Sequence, residues 1–398
     1  MQIGVVGKPS SGKSTFFAAA TLIDVAIANY PFTTIEPNKG IGFVRVECIE
    51  KEFGVKCNPR QGYCRNGIRF VPVELIDVAG LVPDAHLGKG RGNAFLNDLS
   101  QADVLIHVVD ASGSTNEKGE PVPAGSHDPC KDIEFLEKEI DLWFLGIIER
   151  NWAKISKAPA DSKAKLVAAM SQALSGIGAN EKNLEESLLK AGLGEKKLSS
   201  WSDAEKLLFA ETLRKISKPI VVAANKMDIP AAEQNLKRMQ EMFPDKPIIP
   251  CSGFAELALK KAAKELFIEY EPGSDDFTAL KELNEKQARL LENIREKVLK
   301  HFGSTGIQQV LDKTVFELLH YIAVFPAGVK KLADSEGRIL PDCLLMPPKS
   351  TALDFAFKLH TDMGKGFIRA IDVKKNLMVG KEHELKNRDA VEIVFKKP

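Results

Sequence analysis

The stretch GKPSSGKS, residues 7–14, decides the fold of this 398-residue chain. The apolar residues 2–6 before it are typical of a short strand, and residues 15–20, TFFAAA, open a helix. The glycines let the loop bend so that successive N–H groups point inward at an anion. The helix N-terminus adds a partial positive charge. A G-x-x-x-x-G-K-S loop between strand and helix therefore predicts phosphate binding.

The composition indicates a globular chain with no strong charge bias. The apolar fraction is 44%, the charged fraction is 27% and the net charge is +1. The length predicts two or three domains. We expect no secretory leader, no membrane-spanning segment and a cytoplasmic location with reduced thiols. Cys57 and Cys64 resemble half of a zinc site, but no second pair has metal spacing, so free thiols are the favoured interpretation.

Two further segments complete the predicted phosphate and metal site. The strand 70–76 runs into Asp77, and Gly80 follows three residues later, where its amide can sense a γ-phosphate. Asp77 is expected to hold Mg²⁺ through water, and the loop around residues 30–34 offers Thr34, or its neighbour Thr33, as a further ligand. The predicted metal ligands are thus Ser14, Thr34 and Asp77. The predicted phosphate-binding residues are Gly7, Lys8, Pro9, Ser10, Ser11, Gly12, Lys13, Ser14, Thr15 and Gly80.

A second set of residues predicts recognition of a guanine base. The buried strand 218–224 runs into the tetrapeptide NKMD, residues 225–228. Asp228 can accept hydrogen bonds from guanine N1–H and its 2-amino group, and adenine offers neither donor. We expect Lys226 to lie along the base and Asn225 to tie this element to the phosphate loop. The predicted guanine-binding residues are Asn225, Lys226, Met227, Asp228, Cys251, Ser252 and Gly253, the last three through backbone N–H groups near O6.

Together these elements resemble a GTPase of the translation-factor class. The segments YPFTT (30–34) and DVAGLVPDAHLGKGRGNAFL (77–96), with the C-terminal region, resemble the Obg-like (YchF-type) GTPases over nearly the whole chain. The resemblance implies an α/β P-loop G domain with a mostly parallel sheet and helices on both faces. It also implies Mg²⁺, GTP and GDP as ligands.

Two positions bear on which nucleotide and which monovalent ion are used. Ser10 stands where the family loop usually has Asn, a residue associated with monovalent cations, so potassium activation is left open. Some YchF-type members carry a glutamate variant at the base-reading element and prefer ATP. This chain keeps NKMD at 225–228, which favours GTP.

The position that orients the attacking water in Ras-like GTPases holds Leu81 in this sequence, and leucine cannot do so. The resemblance implies a substitute, and His86 is the candidate catalytic residue because a histidine can position or deprotonate water near neutral pH. A solvated loop histidine is the alternative interpretation. A further alternative is that Arg91 or Lys89 neutralises charge in the transition state.

The domain organisation is predicted from changes in pattern along the chain. We expect the first part of a GTPase domain at 1–125, an all-helical insertion at 126–200, and the second part with a helical connector at 201–318. Residues 319–398 resemble the TGS domain, a small β-grasp fold, through HTDMGKGF (360–367) and KNRDAVEI (386–393). The chain from Tyr321 onward has a net charge of +4, which suits RNA phosphates.

The sequence therefore favours a Mg²⁺-dependent switch that hydrolyses GTP to GDP and phosphate. Its expected partners are GTP and a ribosome or structured RNA, contacted through the helical insertion and the TGS domain. A monomer with no membrane or DNA partner is expected. The alternatives are a nucleotide-gated RNA- or protein-binding module with negligible turnover, and an ATPase like some YchF-type relatives.

Overall fold

The structure, a computed structural model, describes residues 1–22, 38–78, 80, 92–156 and 162–396. These residues form two compact units. The first unit contains the described residues of 1–20, 37–40 and 74–310. The second contains those of 21–36, 41–73 and 311–398, so a segment near the N-terminus belongs with the C-terminal region.

A seven-stranded, mostly parallel sheet contains the strands that the sequence predicted around the phosphate loop. Its order is β2-β4-β1-β5-β6-β7, and β3 pairs with β4. Parallel pairing of β1 with β4 and β5, of β5 with β6 and of β6 with β7 brings their carboxyl ends to one edge, where ligands of such sheets bind. The strands are β1 (Gln2–Val6), β2 (Lys39–Glu47), β3 (Tyr63–Arg65), β4 (Ile68–Asp77), β5 (Val104–Asp110), β6 (Ile220–Asn225) and β7 (Ile248–Pro250).

The central strands are buried because their apolar runs are continuous. Every residue of β5 and of β6 is buried, the pattern expected of parallel strands covered on both faces. The register pairs Val5 with Asp77 and Asp110 with Asn225. The polar residues that end these strands are therefore neighbours at the same edge.

The first unit contains a run of long helices between β5 and β6, in the region where the sequence predicts an all-helical insertion. This run shares one apolar core with the sheet, since Ile76 and Leu105 of the strands lie in the same cluster as Phe144, Met170 and Phe209. The helices up to α8 are α1 (Lys13–Thr21), α2 (Gly92–Gln101), α3 (Pro129–Ser156), α4 (Lys163–Leu174), α5 (Glu181–Lys190), α6 (Asp203–Ser217), α7 (Ala231–Met242) and α8 (Gly253–Lys264).

Short elements follow α8 and lead toward the C-terminal sheet. They are β8 (Ile268–Glu269), β9 (Thr278–Ala279), α9 (Glu285–Ile294), α10 (Lys300–Phe302) and α11 (Ile307–Lys313). The helical connector begins at α9, because residues 278–279 pair with β8 instead of opening a helix.

The C-terminal part of the second unit is a five-stranded sheet of order β11-β10-β14-β12-β13 with two helices. Its core includes Val324, Met346, Phe355 and Ala370. The elements are β10 (Ile322–Pro326), β11 (Leu344–Met346), α12 (Ala352–Leu359), α13 (Thr361–Lys365), β12 (Phe367–Asp372), β13 (Leu377–Val379) and β14 (Ala390–Phe395). The α/β fold with a mostly parallel sheet and a smaller C-terminal β-sheet domain, predicted from the sequence, is confirmed.

Local side-chain capping decides the ends of these two helices. Thr351 caps α12, and its side chain and that of Asp354 bind each other's backbone N–H in a capping box. Within the segment HTDMGKGF, His360 caps the short helix α13, because its Nδ1 accepts from the backbone N–H of Asp362 at 3.1 Å.

No helix in the described ranges combines the length and the apolar character needed to cross a membrane.

Candidate functional site

The phosphate loop connects β1 to α1 and is tightly enclosed at its glycines. A Cβ on Gly7 would lie 2.6 Å from the carbonyl oxygen of Val108, on β5. Gly12 has φ +91°, and a Cβ there would lie 2.2 Å from the side-chain amide nitrogen of Asn225. Both contacts exclude a side chain. The loop conformation therefore requires glycine at the two positions that the motif specifies.

One loop side chain has a buried polar atom that fits a phosphate ligand. The Ser11 hydroxyl is fully buried and has no hydrogen-bond partner among the described residues. Leaving such a group unsatisfied is unfavourable by about 1–3 kcal/mol. The loop accepts only glycine at two positions and has a buried hydroxyl without a partner among the described residues. Both features are consistent with an oxygen-rich ligand in this loop.

Lys13 and Asp77 lie beside each other at the carboxyl edge of the sheet. The Lys13 ammonium donates to the Asp77 carboxylate and, at 2.7 Å, to the carbonyl oxygen of Val78. Gly80 is also close to the loop, since a Cβ there would lie 4.0 Å from Pro9 Cγ. The structure thus brings together the predicted phosphate-binding lysine, the predicted Mg²⁺ ligand and the predicted γ-phosphate sensor.

The Lys8 side chain is turned away from this edge. It is buried, forms an ion pair with Asp132 at 2.8 Å and donates to the carbonyl oxygen of Thr115 at 2.8 Å. Asp132 in turn contacts His127 Nε2 at 2.9 Å. Only the main chain of Lys8 is therefore left to contact a phosphate, and its charge is used inside the protein.

Asn225 connects the base-reading element to the phosphate loop, as the sequence predicted. Its buried side-chain amide donates to the carbonyl oxygen of Ser11 at 3.0 Å. Its Oδ1 accepts from the backbone N–H of Gly253 at 2.9 Å. One side chain thus fixes β6, the phosphate loop and the start of α8 relative to each other.

Asp228 is oriented by a neighbouring serine. Its Oδ1 accepts a hydrogen bond from the Ser252 hydroxyl at 2.6 Å. The same hydroxyl accepts from the backbone N–H of Ala255 at 3.1 Å and so caps α8. Because Ser252 is fully buried and held by the helix, it restricts the rotation of the Asp228 carboxylate.

The backbone N–H groups after β7 already have partners within the protein. Those of Cys251 and Ser252 donate to the carbonyl oxygens of Ala224 and Thr305, and that of Gly253 donates to Asn225. Met227 is buried, and its N–H donates to the carbonyl oxygen of Cys251. A contact from any of these amides to guanine O6 would need an exchange of partners, so that assignment stays a prediction.

Asp110 is a further residue of the site, and its sequence context alone predicted no role for it. It ends β5, is fully buried, and its Oδ2 accepts from the Lys226 ammonium at 3.0 Å and from the Thr115 hydroxyl at 2.8 Å. Burial raises its pKa, but hydrogen bonds from Ser112, Lys226 and Thr115 outweigh this and hold the pKa below its usual value. Asp110 thus anchors Lys226, whose backbone is left-handed at φ +67°.

A signal for Asp110 was present in the sequence. It is a carboxylate at the end of a buried strand, followed by hydroxyl residues at 112, 114 and 115. The fold pairs Asp110 with Asn225 on the adjacent strand. This pairing, which the sequence does not show, places Asp110 beside the base-reading element.

Some predicted site residues lie outside the described residues. They are the threonines Thr33 and Thr34, the hydrophobic Leu81, the candidate catalytic His86, and the basic Lys89 and Arg91. Ser14 and Thr15 lie in the first turn of α1, and Ser10 adopts a left-handed φ of +60° in the loop before it.

Family models match three parts of the chain. One described as "50S ribosome-binding GTPase" matches residues 2–136, and one described as "Obg-like GTPase YGR210-like, G4 motif-containing domain" matches 223–328. A TGS domain model matches 328–395. These matches and the site geometry define the class: a P-loop GTP-binding protein with a TGS domain.

Relatives of nearly equal length identify the family. The chain is 45% identical to the "Uncharacterized GTP-binding protein MJ1332" of Methanocaldococcus jannaschii, over 98% of each chain. It is similar to the crystal structure of a GTP-binding protein from Pyrococcus horikoshii OT3, with a TM-score of 0.79, 41% identity and full coverage of both chains. It is 28% identical to the "Ribosome-binding ATPase YchF" of Bacillus subtilis, over 95% of this chain and 90% of that one. The chain belongs to the Obg-like, YchF-type family of GTP-binding proteins.

Proposed function

We propose that this protein is a Mg²⁺-dependent GTPase that hydrolyses GTP to GDP and phosphate and acts as a molecular switch. The observation that carries the choice of guanine is the pairing of Asp228 with Ser252 at 2.6 Å. A carboxylate held in one orientation can accept two hydrogen bonds from guanine, whereas adenine would leave it unpaired. The Asn225 hydrogen bond to Ser11 supports the assignment because it couples base recognition to the phosphate loop.

Mg²⁺ fits the donor set at the sheet edge. Asp77 and the Ser14 hydroxyl, with Thr34 as the third candidate, would hold it, and oxygen ligands of this kind suit a hard cation. When bound, Mg²⁺ neutralises charge that develops on the β- and γ-phosphate oxygens. Lys13 would add a second positive charge to the same oxygens, and its present contact with Asp77 puts it within reach of them.

His86 is proposed to position the attacking water, because Leu81 has no polar group to do so. Arg91 and Lys89 are the alternative sources of transition-state charge in that segment. The use of potassium is left to experiment, since Ser10 replaces the asparagine that is usual in the family loop.

We further propose that the helices α3–α6 and the TGS domain contact the ribosome or a structured RNA. The positive net charge of the chain from Tyr321 onward supports this, as does the printed name of the Bacillus subtilis relative, a ribosome-binding ATPase. The same name favours ATP as the competing substrate, so the nucleotide must be tested directly.

The test measures the binding of GTP and ATP with Mg²⁺ by calorimetry, followed by phosphate release with and without ribosomes. A GTPase binds GTP at least tenfold more tightly than ATP and releases phosphate, faster if ribosomes activate it. Equal or tighter ATP binding would assign the chain to the ATP-preferring members. GTP binding without turnover under either condition would favour a nucleotide-gated binding module.

A second experiment addresses the partner. Co-sedimentation with ribosomes, in the GTP and GDP states, should show binding that depends on the nucleotide and weakens as salt rises, if phosphates are the target. Binding that is the same in both nucleotide states would argue against a switch.

A further inference from the structure

The second unit contains a cluster of three cysteines and one glutamate that the proposed GTPase function does not use. Cys48 follows β2, Glu50 lies in the 3-10 turn Ile49–Lys51, Cys57 lies in an irregular segment and Cys64 lies in β3. One potential ligand atom from each of the four residues lies within 4.8 Å of the other three. Cys48 and Cys57 are buried, and Glu50 and Cys64 are half-buried.

The distances within the cluster match a shared metal ion. The Sγ atoms of Cys48 and Cys57 are 3.7 Å apart, and Cys64 Sγ lies 3.7 Å from Glu50 Oε1. A tetrahedral ion with metal–sulfur bonds of about 2.3 Å separates two of its sulfurs by about 3.8 Å. A disulfide would bring them to about 2.05 Å, and all the cysteines are free thiols.

The chemistry of the donors selects the ion. Thiolates are poor ligands for Mg²⁺ and Ca²⁺ and favour Zn²⁺ among the common divalent cations. Four protein ligands fill a tetrahedral site and leave no open position for a substrate, as in structural zinc sites. We propose that Cys48, Glu50, Cys57 and Cys64 bind one Zn²⁺ ion in a structural site.

The surroundings of the cluster suit an anionic metal–thiolate centre. Three thiolates, one carboxylate and one Zn²⁺ leave a net negative charge that needs a buried cation nearby. Arg69 on β4 is 1% exposed and has no carboxylate partner among the described residues. The Arg69 guanidinium donates to the carbonyl oxygen of Leu340 at 2.6 Å. Its Nε has no hydrogen-bond partner among the described residues.

The Glu50 carboxylate is held in place within the cluster, because its Oε2 accepts a hydrogen bond from the backbone N–H of Cys57 at 2.9 Å. Hydrogen bonds of this kind orient metal ligands and increase affinity.

A metal here would fix the loop between Cys48 and Cys64 within the second unit. Residues 55–61 have no helix or strand, yet they make defined contacts with residues 339–342. The N–H of Asn58 donates to Ile339, the N–H of Arg60 donates to Pro341, and the Arg60 side chain pairs with Asp342 at 2.7 Å. The ion would therefore hold the segment 48–65 in the shape that binds the C-terminal region.

The first test uses the full-length wild-type protein purified without chelator. Elemental analysis should find about one zinc per chain. After zinc is removed under reducing conditions, added Co²⁺ should give the intense visible absorption of tetrahedral cobalt–thiolate coordination. A wild-type protein that carries no zinc and shows no such absorption with Co²⁺ would overturn the proposal.

Matched cysteine variants locate the site. Cys57→Ser removes a direct ligand. Zinc affinity should therefore fall by more than the about 10- to 100-fold that is lost when a hydrogen-bonding partner of a ligand is removed. Glu50→Gln should lower affinity while keeping the cobalt–thiolate absorption, because the three sulfurs remain. Cys343→Ser is the control, because Cys343 is a free, half-buried cysteine of the same unit that lies outside the group of four.

GTP affinity serves as the check on folding, because the predicted nucleotide residues of the described chain lie in the first unit. Zinc loss in Cys57→Ser with GTP affinity retained supports the site. Equal zinc loss in Cys343→Ser and Cys57→Ser, or full zinc retention in Cys57→Ser, would contradict it. The zinc measurements do not depend on GTP hydrolysis, so failure of either proposal leaves the other intact.

Discussion

The polar groups of the nucleotide site and those of the cysteine cluster are brought together in different ways. The phosphate loop uses successive residues from Gly7 to Ser14, because a phosphate is bound by consecutive backbone N–H groups at a helix N-terminus. The cluster uses positions 48, 50, 57 and 64, whose spacing has no repeat and whose loop has little regular structure. A site made by backbone conformation leaves a motif in the sequence, and a site made by side chains from an irregular loop does not.

The comparison also implies that the two regions act independently. Variants in the nucleotide site should change nucleotide binding or turnover and leave the zinc content at its wild-type value. Variants in the cysteine cluster should change the zinc content and leave nucleotide binding and turnover at their wild-type values. The predictions below test this separation, beginning with the largest effect.

His86→Ala should slow GTP hydrolysis by about 10²- to 10⁴-fold, because a positioned general base contributes that much. GTP affinity should stay unchanged, since the side chain acts on water and not on the bound nucleotide. Single-turnover phosphate release measures the rate, and His301→Ala, which changes an exposed histidine of α10, is the control. A variant as fast as wild type would make His86 an ordinary loop residue.

Lys13→Ala should weaken GTP binding by roughly 10- to 150-fold, because a charge-assisted hydrogen bond contributes about 1.5–3 kcal/mol. It also leaves Asp77 without its ammonium partner. Calorimetry measures the affinity, and Lys237→Ala on the exposed face of α7 is the matched control. Unchanged affinity for GTP would remove the phosphate loop from the proposed site.

Asp228→Asn should shift preference from guanine to xanthine nucleotides by at least about tenfold, because one mismatched buried pair costs about 1–3 kcal/mol. The asparagine amide would face the 2-amino group of guanine donor to donor, whereas xanthine presents a carbonyl there. Competition of labelled GTP against XTP and ATP measures the shift.

Asp203→Asn, on the exposed start of α6, should leave this preference as in wild type. Wild-type protein that binds ATP as well as GTP would show that the residues 225–228 do not select guanine.

The smallest expected effect concerns His107 on β5, which is paired with Val6, the residue before the phosphate loop. Burial, with a contribution from the Lys8 charge, lowers its pKa from 6.5 to about 3. The unfolded chain therefore takes up a proton first as pH falls, so the stability that neutral His107 contributes is present above pH 6.5 and is lost between pH 6.5 and about 3.

The free energy of unfolding should fall by about 1 kcal/mol from this group alone between pH 6.5 and about 5.5. Urea titrations at both pH values measure the change. His107→Gln should show a smaller pH dependence than wild type. The same pH dependence in both proteins would mean that folding does not lower the pKa of His107.

The sequence by itself determined the elements that rest on local interactions. The residues 7–14 fixed the loop between β1 and α1, because glycine torsions and the helix start are local. The run into Asn225 predicted both a buried strand and the hydrogen bond to the loop. Helix α12 begins directly after its capping residue Thr351, and that contact is also local. The TGS domain was likewise predicted from its short motifs and is confirmed.

Tertiary structure decided whatever depends on residues far apart in the chain. Asp110 becomes an anchor for Lys226 only because β5 and β6 are adjacent, and Lys8 turns inward only because Asp132 lies within 2.8 Å. The grouping of residues 41–73 with 311–398 also needs long-range contacts. Most of all, the sequence favoured free thiols at Cys57 and Cys64, since no second pair has metal spacing. The folded loop adds Cys48 and Glu50 to them, because side-chain proximity there is set by packing and not by distance along the chain.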